Sequence, residues 1–143
     1  MIVLDANVLL YAYHPQSPVH ARAKAWVEAA FEGPEPVRLP WQTIAAFLRL
    51  TTNPKVFQAP LTIEEAEAAV SAWLDLPAVA PIDPGERYWT ILRTLLVKSQ
   101  VTGALVSDAV LAALAIEHGA TFCTTDRDFR RFEGLKLLNP IEV

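Results

Sequence analysis

Apolar residues fall along this chain in two rhythms. Some form short unbroken runs that end in a polar residue, and others recur three and four positions apart over longer stretches. Ile2-Val-Leu4 ahead of Asp5 is a run of the first kind and predicts a buried strand over residues 2–5. Asn7 to Tyr11 predicts a helix that breaks near Pro15 and Pro18. His20 to Phe31 predicts another, with Ala23, Trp26, Val27 and Ala30 on one face. Gly33-Pro-Glu-Pro36 ends it, and Val37 to Leu39 predicts a second short strand. Trp41 to Leu50 reads as helix with Ile44, Phe47 and Leu48 inward. It closes before Thr52-Asn-Pro54, because the residue before a proline is driven away from helical backbone.

The second half continues the alternation. Thr62-Ile-Glu-Glu65 is a capping-box pattern, and the helix it opens offers Ile63, Ala66, Val70, Trp73 and Leu74 as its apolar face. Val79-Ala-Pro-Ile82 predicts an edge strand, since Pro81 cannot donate to a central ladder. Asp83 is expected to cap a helix that starts at Pro84, carries Glu86 in its first turn and runs to about Lys98. Its inward residues are Tyr88, Leu92, Leu95 and Leu96. Ser107 is expected to cap the helix that Asp108 enters, and Gly119 to end it. Ala120–Thr125 and Leu135–Leu138 predict the last strands. This order implies an α/β fold: a mostly parallel central sheet flanked by helices on both faces, in one domain over residues 1–143.

Composition narrows the class. The chain is 52% hydrophobic, with a mean hydropathy of +0.25, so it has material for a filled core. No stretch reaches the roughly 20 apolar residues a membrane span needs, and no basic region precedes the first apolar run, so neither an anchor nor a signal peptide is expected. Cys123 is the only cysteine, which excludes an internal disulfide and suits a reducing cytoplasm. The net charge of −4 does not advertise nucleic-acid binding, although bound cations would offset part of it.

The candidate chemistry lies in three aspartates. Asp5 ends the first strand, Asp108 enters a late helix and Asp126 follows the run Ala120 to Thr125. In open α/β sheets such positions line the functional crevice. Carboxylates roughly 4 Å apart repel by about 4 kcal/mol at an effective dielectric near 20. A hard divalent cation relieves that repulsion, which points to metal-dependent phosphodiester chemistry. Capping accounts for Asp5 and Asp108 equally well when each is taken alone, and turn formation accounts for Asp126. Asn7, Thr125 and Asp128 stand beside them as residues that would orient or supplement the ligands. His14, His20 and His118 lack the spacing of a zinc site.

Taken together, Ile2-Val-Leu-Asp-Ala-Asn-Val-Leu9, Val106-Ser-Asp-Ala109, Ala112-Ala-Leu-Ala-Ile-Glu-His-Gly-Ala120 and Cys123-Thr-Thr-Asp-Arg-Asp-Phe129 resemble a PIN domain of the VapC-type toxin ribonucleases. Phe47-Leu-Arg-Leu-Thr-Thr-Asn-Pro-Lys-Val-Phe57 resembles a stretch of one subgroup. The resemblance implies a PIN-like fold and an endoribonuclease in which Asp5, Asp108 and Asp126 hold Mg²⁺ or Mn²⁺. It also implies an antitoxin partner and a cytoplasmic site of action. Arg49, Lys55, Arg127, Arg130 and Arg131 are the candidates for RNA backbone contacts. Trp26, Trp41, Trp73 and Trp89, with Phe31 and Phe57, exceed what one small core uses, so a homodimer or an amphipathic antitoxin segment is expected to cover some of them. The family's further glutamate corresponds to Ala46, which leaves the number of metal ions open and keeps a weak or inactive RNA- or protein-binding module as the alternative. An aspartate-nucleophile phosphatase is the chemical rival, but it needs an acid where Asn7 stands. A receiver domain needs a lysine that Lys98 does not supply.

Overall fold

The apolar run that opens the chain becomes the centre of the sheet. A computed structural model describes residues 1–142. In chain order the elements are β1 (Ile2–Leu4), α1 (Ala6–Ala12), α2 (His20–Glu32), β2 (Val37–Pro40), α3 (Trp41–Thr51), α4 (Ile63–Leu74), β3 (Val79–Ile82), α5 (Tyr88–Ser99) and α6 (Leu105–Glu117). They close with β4 (Thr121–Cys123), a 3-10 turn (Arg127–Arg131) and β5 (Lys136–Leu138). The five strands form one sheet in the order β3-β2-β1-β4-β5. Every pairing is parallel. The chain steps outward from β1 to β2 to β3, then crosses to place β4 and β5 on the other side. The order therefore reverses between β1 and β4, where parallel sheets open a crevice at their carboxyl ends.

Side chains alternate across this sheet with the period of two that strands impose. Ile2, Leu4 and Cys123 point into a core shared with α1 to α4. Val3 and Phe122 point the other way, into a core shared with α5, α6 and the 3-10 turn. Helices thus cover both faces, as the alternation predicts. Trp73 anchors the first core, with Phe47 4.6 Å and Tyr13 and Phe31 each 5.8 Å away in edge-to-face geometry. β3 is an edge strand, which accommodates the missing N–H of Pro81.

Three local expectations change. The helix expected from Pro84 begins at Tyr88, with no side-chain cap. Asp83 gives way to a distant carboxylate: Glu117, at the end of α6, accepts hydrogen bonds from Gly85 N at 2.7 Å and Arg87 N at 3.0 Å. A Cβ on Gly85 would stand 2.7 Å from Glu117 Oε2, so any other residue there would make the carboxylate shift. Helix α6 begins at Leu105, so Ser107 sits inside its first turn and caps nothing. Ile63, placed on the apolar face of α4, is 55% exposed, because α4 turns Ala66, Val70 and Trp73 inward instead. The end of α6 matches expectation: Gly119 takes φ +65°, with Gly119 N bonded to Ile116 O and Ala120 N to Ala115 O.

Candidate functional site

Because α1 starts directly after β1, Asp5 sits at the carboxyl end of the central strand and caps that helix. Its Oδ1 accepts the Ala6 N–H at 2.8 Å. Its Oδ2 accepts the Thr124 hydroxyl at 2.7 Å and the Asn7 amide at 3.3 Å. The capping role and the position on the crevice therefore coexist in one side chain. Burial raises its pKa, opposed by the bonds from Thr124 and Ala6, and the charge of Asp126 raises it further.

Asp108 reaches the same crevice from the first turn of α6, and Asp126 from the turn after β4. Burial is the main cause that pushes Asp108 up to about 6. The charges of Asp126, Asp5 and Asp128 add to it, and Arg131 opposes it. Asp5 and the Asp126 backbone bond the same Thr124 hydroxyl, and Asp108 lies beside the Asp126 carboxylate, so the three line one negative crevice. The tightest group, however, is Asp108, Asp126 and Asp128, which offer carboxylate oxygens within 4.8 Å of one another. Asp128, read from sequence as a supplementary residue, stands in this group, and Asp5 lies beside it with its oxygens bonded to Ala6, Thr124 and Asn7. The set is all oxygen and negatively charged, which fits a hard divalent cation rather than zinc.

The residue between these acids is Thr124 rather than its neighbour Thr125, the residue expected from sequence. Thr124 is 4% exposed and saturates its hydroxyl. It donates to Asp5 Oδ2 and accepts from Asp126 N at 3.0 Å and Asn7 Nδ2 at 3.2 Å. Thr125 takes part through its backbone, its N–H donating to Asn7 Oδ1 at 3.3 Å. Asn7 is thus a brace between the two strand ends. Asp126 Oδ1 accepts the Asp128 N–H at 2.8 Å, so each acid of this turn orients the next. Residue spacing does not reveal Thr124, since hydroxyl direction depends on strand pleat.

Helix α3 brings no carboxylate. Ala46 is half-buried there, and the neighbouring buried residue Thr43 instead donates to Leu4 O at 2.8 Å, tying α3 to β1 just ahead of Asp5. Arg131 leans on the cluster, its Nε donating to Asp128 O at 3.0 Å. Arg127 and Arg130 lie on the same 3-10 turn. Arg49 and Lys55 are exposed on and after α3, and among the described residues no hydrogen bond or ion pair joins them to the acids.

The PIN domain family matches residues 2–135. The VapC ribonuclease Mb2897 of Mycobacterium bovis is 37% identical over 142 residues, covering 99% of this chain and 97% of its own length. Ribonuclease VapC31 of Mycobacterium tuberculosis is 38% identical over 140 residues, covering 98% and 99%. Among solved structures, VapBC2 from Rickettsia felis, bound to a promoter DNA fragment, contains a chain with a TM-score of 0.71 at 18% identity. That match covers 97% of this chain and 98% of the other, and at such identity it speaks for the fold.

Proposed function

Because the chain belongs to the PIN-domain family, among VapC-type toxin ribonucleases, we propose that it is a metal-dependent endoribonuclease, the toxin of a toxin–antitoxin pair. One observation carries the reading: Asp108, Asp126 and Asp128 converge within 4.8 Å at the point where the strand order reverses, with Asp5 on the same crevice. Asp108, Asp126 and Asp128 would hold Mg²⁺ or Mn²⁺, and Asp5, braced by Thr124 and Asn7, supplies further negative charge beside it. The chemistry such an ion would supply is neutralisation of phosphodiester charge during attack by water. Asp128, the most exposed of the three, would accept that water's proton. The lone buried Cys123 suits action in the cytoplasm, and among the described residues no helix is long and apolar enough to cross a membrane.

Partners follow from the apolar surface. A hollow of about 430 Å³ between α2 and α4, lined by Val27, Phe31, Trp73 and Leu76, offers an antitoxin segment an apolar seat. Trp89 and Val97 on α5 are 63% and 68% exposed and supply a face for a homodimer. Residues 1–143 act as one domain.

The test is cleavage of structured RNA with Mg²⁺ or Mn²⁺, repeated with EDTA and with Asp5→Asn and Asp108→Asn. Chelation abolishes cutting, and each substitution lowers kcat about a hundredfold or more. Cutting that survives both treatments sinks the metal site. Ala46 favours a second reading, a non-catalytic RNA-binding module, which RNA bound but never cut would establish.

A further inference from the structure

Beside the acid crevice lies a hollow of about 310 Å³ whose walls include Asp126, Arg127, Arg130, Leu138 and Asn139. A second hollow, of about 190 Å³, shares Thr125, Arg127, Asn139 and Glu142 with the first and extends past them to Tyr11. The pair forms a trough that starts at a proposed metal ligand and leaves along the carboxyl ends of β4 and β5. We propose that this trough holds the single-stranded segment of the RNA substrate next to the cleaved bond; the assignment rests on the ribonuclease reading.

Three features of the trough match that ligand. Its cations are arginines, which fit phosphate bidentately. Among the described residues Arg130 has no carboxylate within ion-pair distance, and Arg127 faces only Glu142 at 3.8 Å, both side chains well solvated, so a phosphate can displace that contact. Asn139 has its amide orientation fixed, because Oδ1 accepts the Ile141 N–H at 3.1 Å. Its Nδ2 is then the donor presented to the trough, suited to a base oxygen or ring nitrogen. Leu138 is 42% exposed beside it and Tyr11 lines the far end, so a base meets an apolar wall and an aromatic ring. Unpaired bases are what such a trough can read, since a duplex would bury those edges.

The full chain is titrated into a short labelled single-stranded RNA of mixed sequence, with EDTA, and followed by anisotropy. The proteins are wild type, Arg130→Ala, Arg130→Lys, Asn139→Asp and Lys136→Ala. Lys136 is exposed at the amino end of β5 and lines none of the trough. Arg130→Ala and Asn139→Asp each weaken binding about tenfold. Arg130→Ala also lowers the slope of log affinity against log salt by about 0.7. Arg130→Lys recovers most of the loss, and Lys136→Ala behaves as wild type. In Mn²⁺ the same factor enters KM while kcat holds. Unchanged binding in both trough variants, an equal loss in Lys136→Ala, or no RNA binding by wild type overturns the trough. If wild type binds with the expected dependence but never cuts, the trough stands and the ribonuclease reading falls. If all variants cut with wild-type KM, the trough falls alone.

Discussion

At the scale of residues, the hydroxyl of Thr124 does more than any single carboxylate to shape the crevice. Among the described residues it is the only group that bonds Asp5, Asn7 and the Asp126 backbone at once. Thr124→Val keeps the shape and removes those bonds; Thr124→Ser keeps the bonds. The valine variant is expected to bind Mn²⁺ about tenfold more weakly, read by electron paramagnetic resonance, with the serine variant near wild type. Equal binding in both would reduce Thr124 to packing. Asp108 carries a pH dependence of definite sign. Its pKa rises from 3.8 in the unfolded chain to about 6 in the fold, chiefly by burial. The folded state therefore holds the proton more tightly, and this contribution to stability is full below about pH 4 and lost as pH rises through about 6. Without metal, wild type should lose Tm relative to Asp108→Asn over that window. With Mn²⁺ the order reverses: the ion needs the ionised carboxylate, so its gain in Tm is larger at about pH 7 than at about pH 5. A metal-induced Tm gain independent of pH would remove Asp108 from the ligand set.

At the scale of elements, strand and helix positions were legible because their periods of two and 3.6 are properties of the backbone. Starts were less so. The first turn of α5 is completed by Glu117, thirty residues away from Arg87, and nothing near Asp83 announces that partner. With its side chain only 6% exposed, Glu117 accepts from two backbone donors, and Glu117→Ala removes both of these charge-assisted bonds. That variant should lose about 1–3 kcal/mol in urea unfolding. A loss under about half a kcal/mol would mean that water replaces the carboxylate there. Gly119 ends α6 as expected, since a left-handed residue after a helix is a local requirement that glycine meets without steric cost.

At the scale of the whole molecule, aromatic load divides between core and surface in a way composition foretold only in sum. Trp73 is buried at 6%, while Trp41 and Trp89 are 51% and 63% exposed. Trp89→Glu should shift a homodimer toward monomer by light scattering with thermal stability retained; a wild type that is monomeric throughout would end the dimer proposal. The sequence by itself determined the alternation of elements, the parallel sheet and the positions of Asp5, Asp108 and Asp126 at strand ends and a helix start, because hydrophobic period and chain order depend on neighbours in the chain. Only the tertiary structure decided that Asp128 joins the tight acid group while Asp5 turns to Thr124, that Glu117 serves α5, and that Arg127 and Arg130 border a trough with Asn139. Those outcomes depend on which side chains meet across the β1–β4 seam and between α5 and α6, and distances through space are not written in the spacing of residues along the chain.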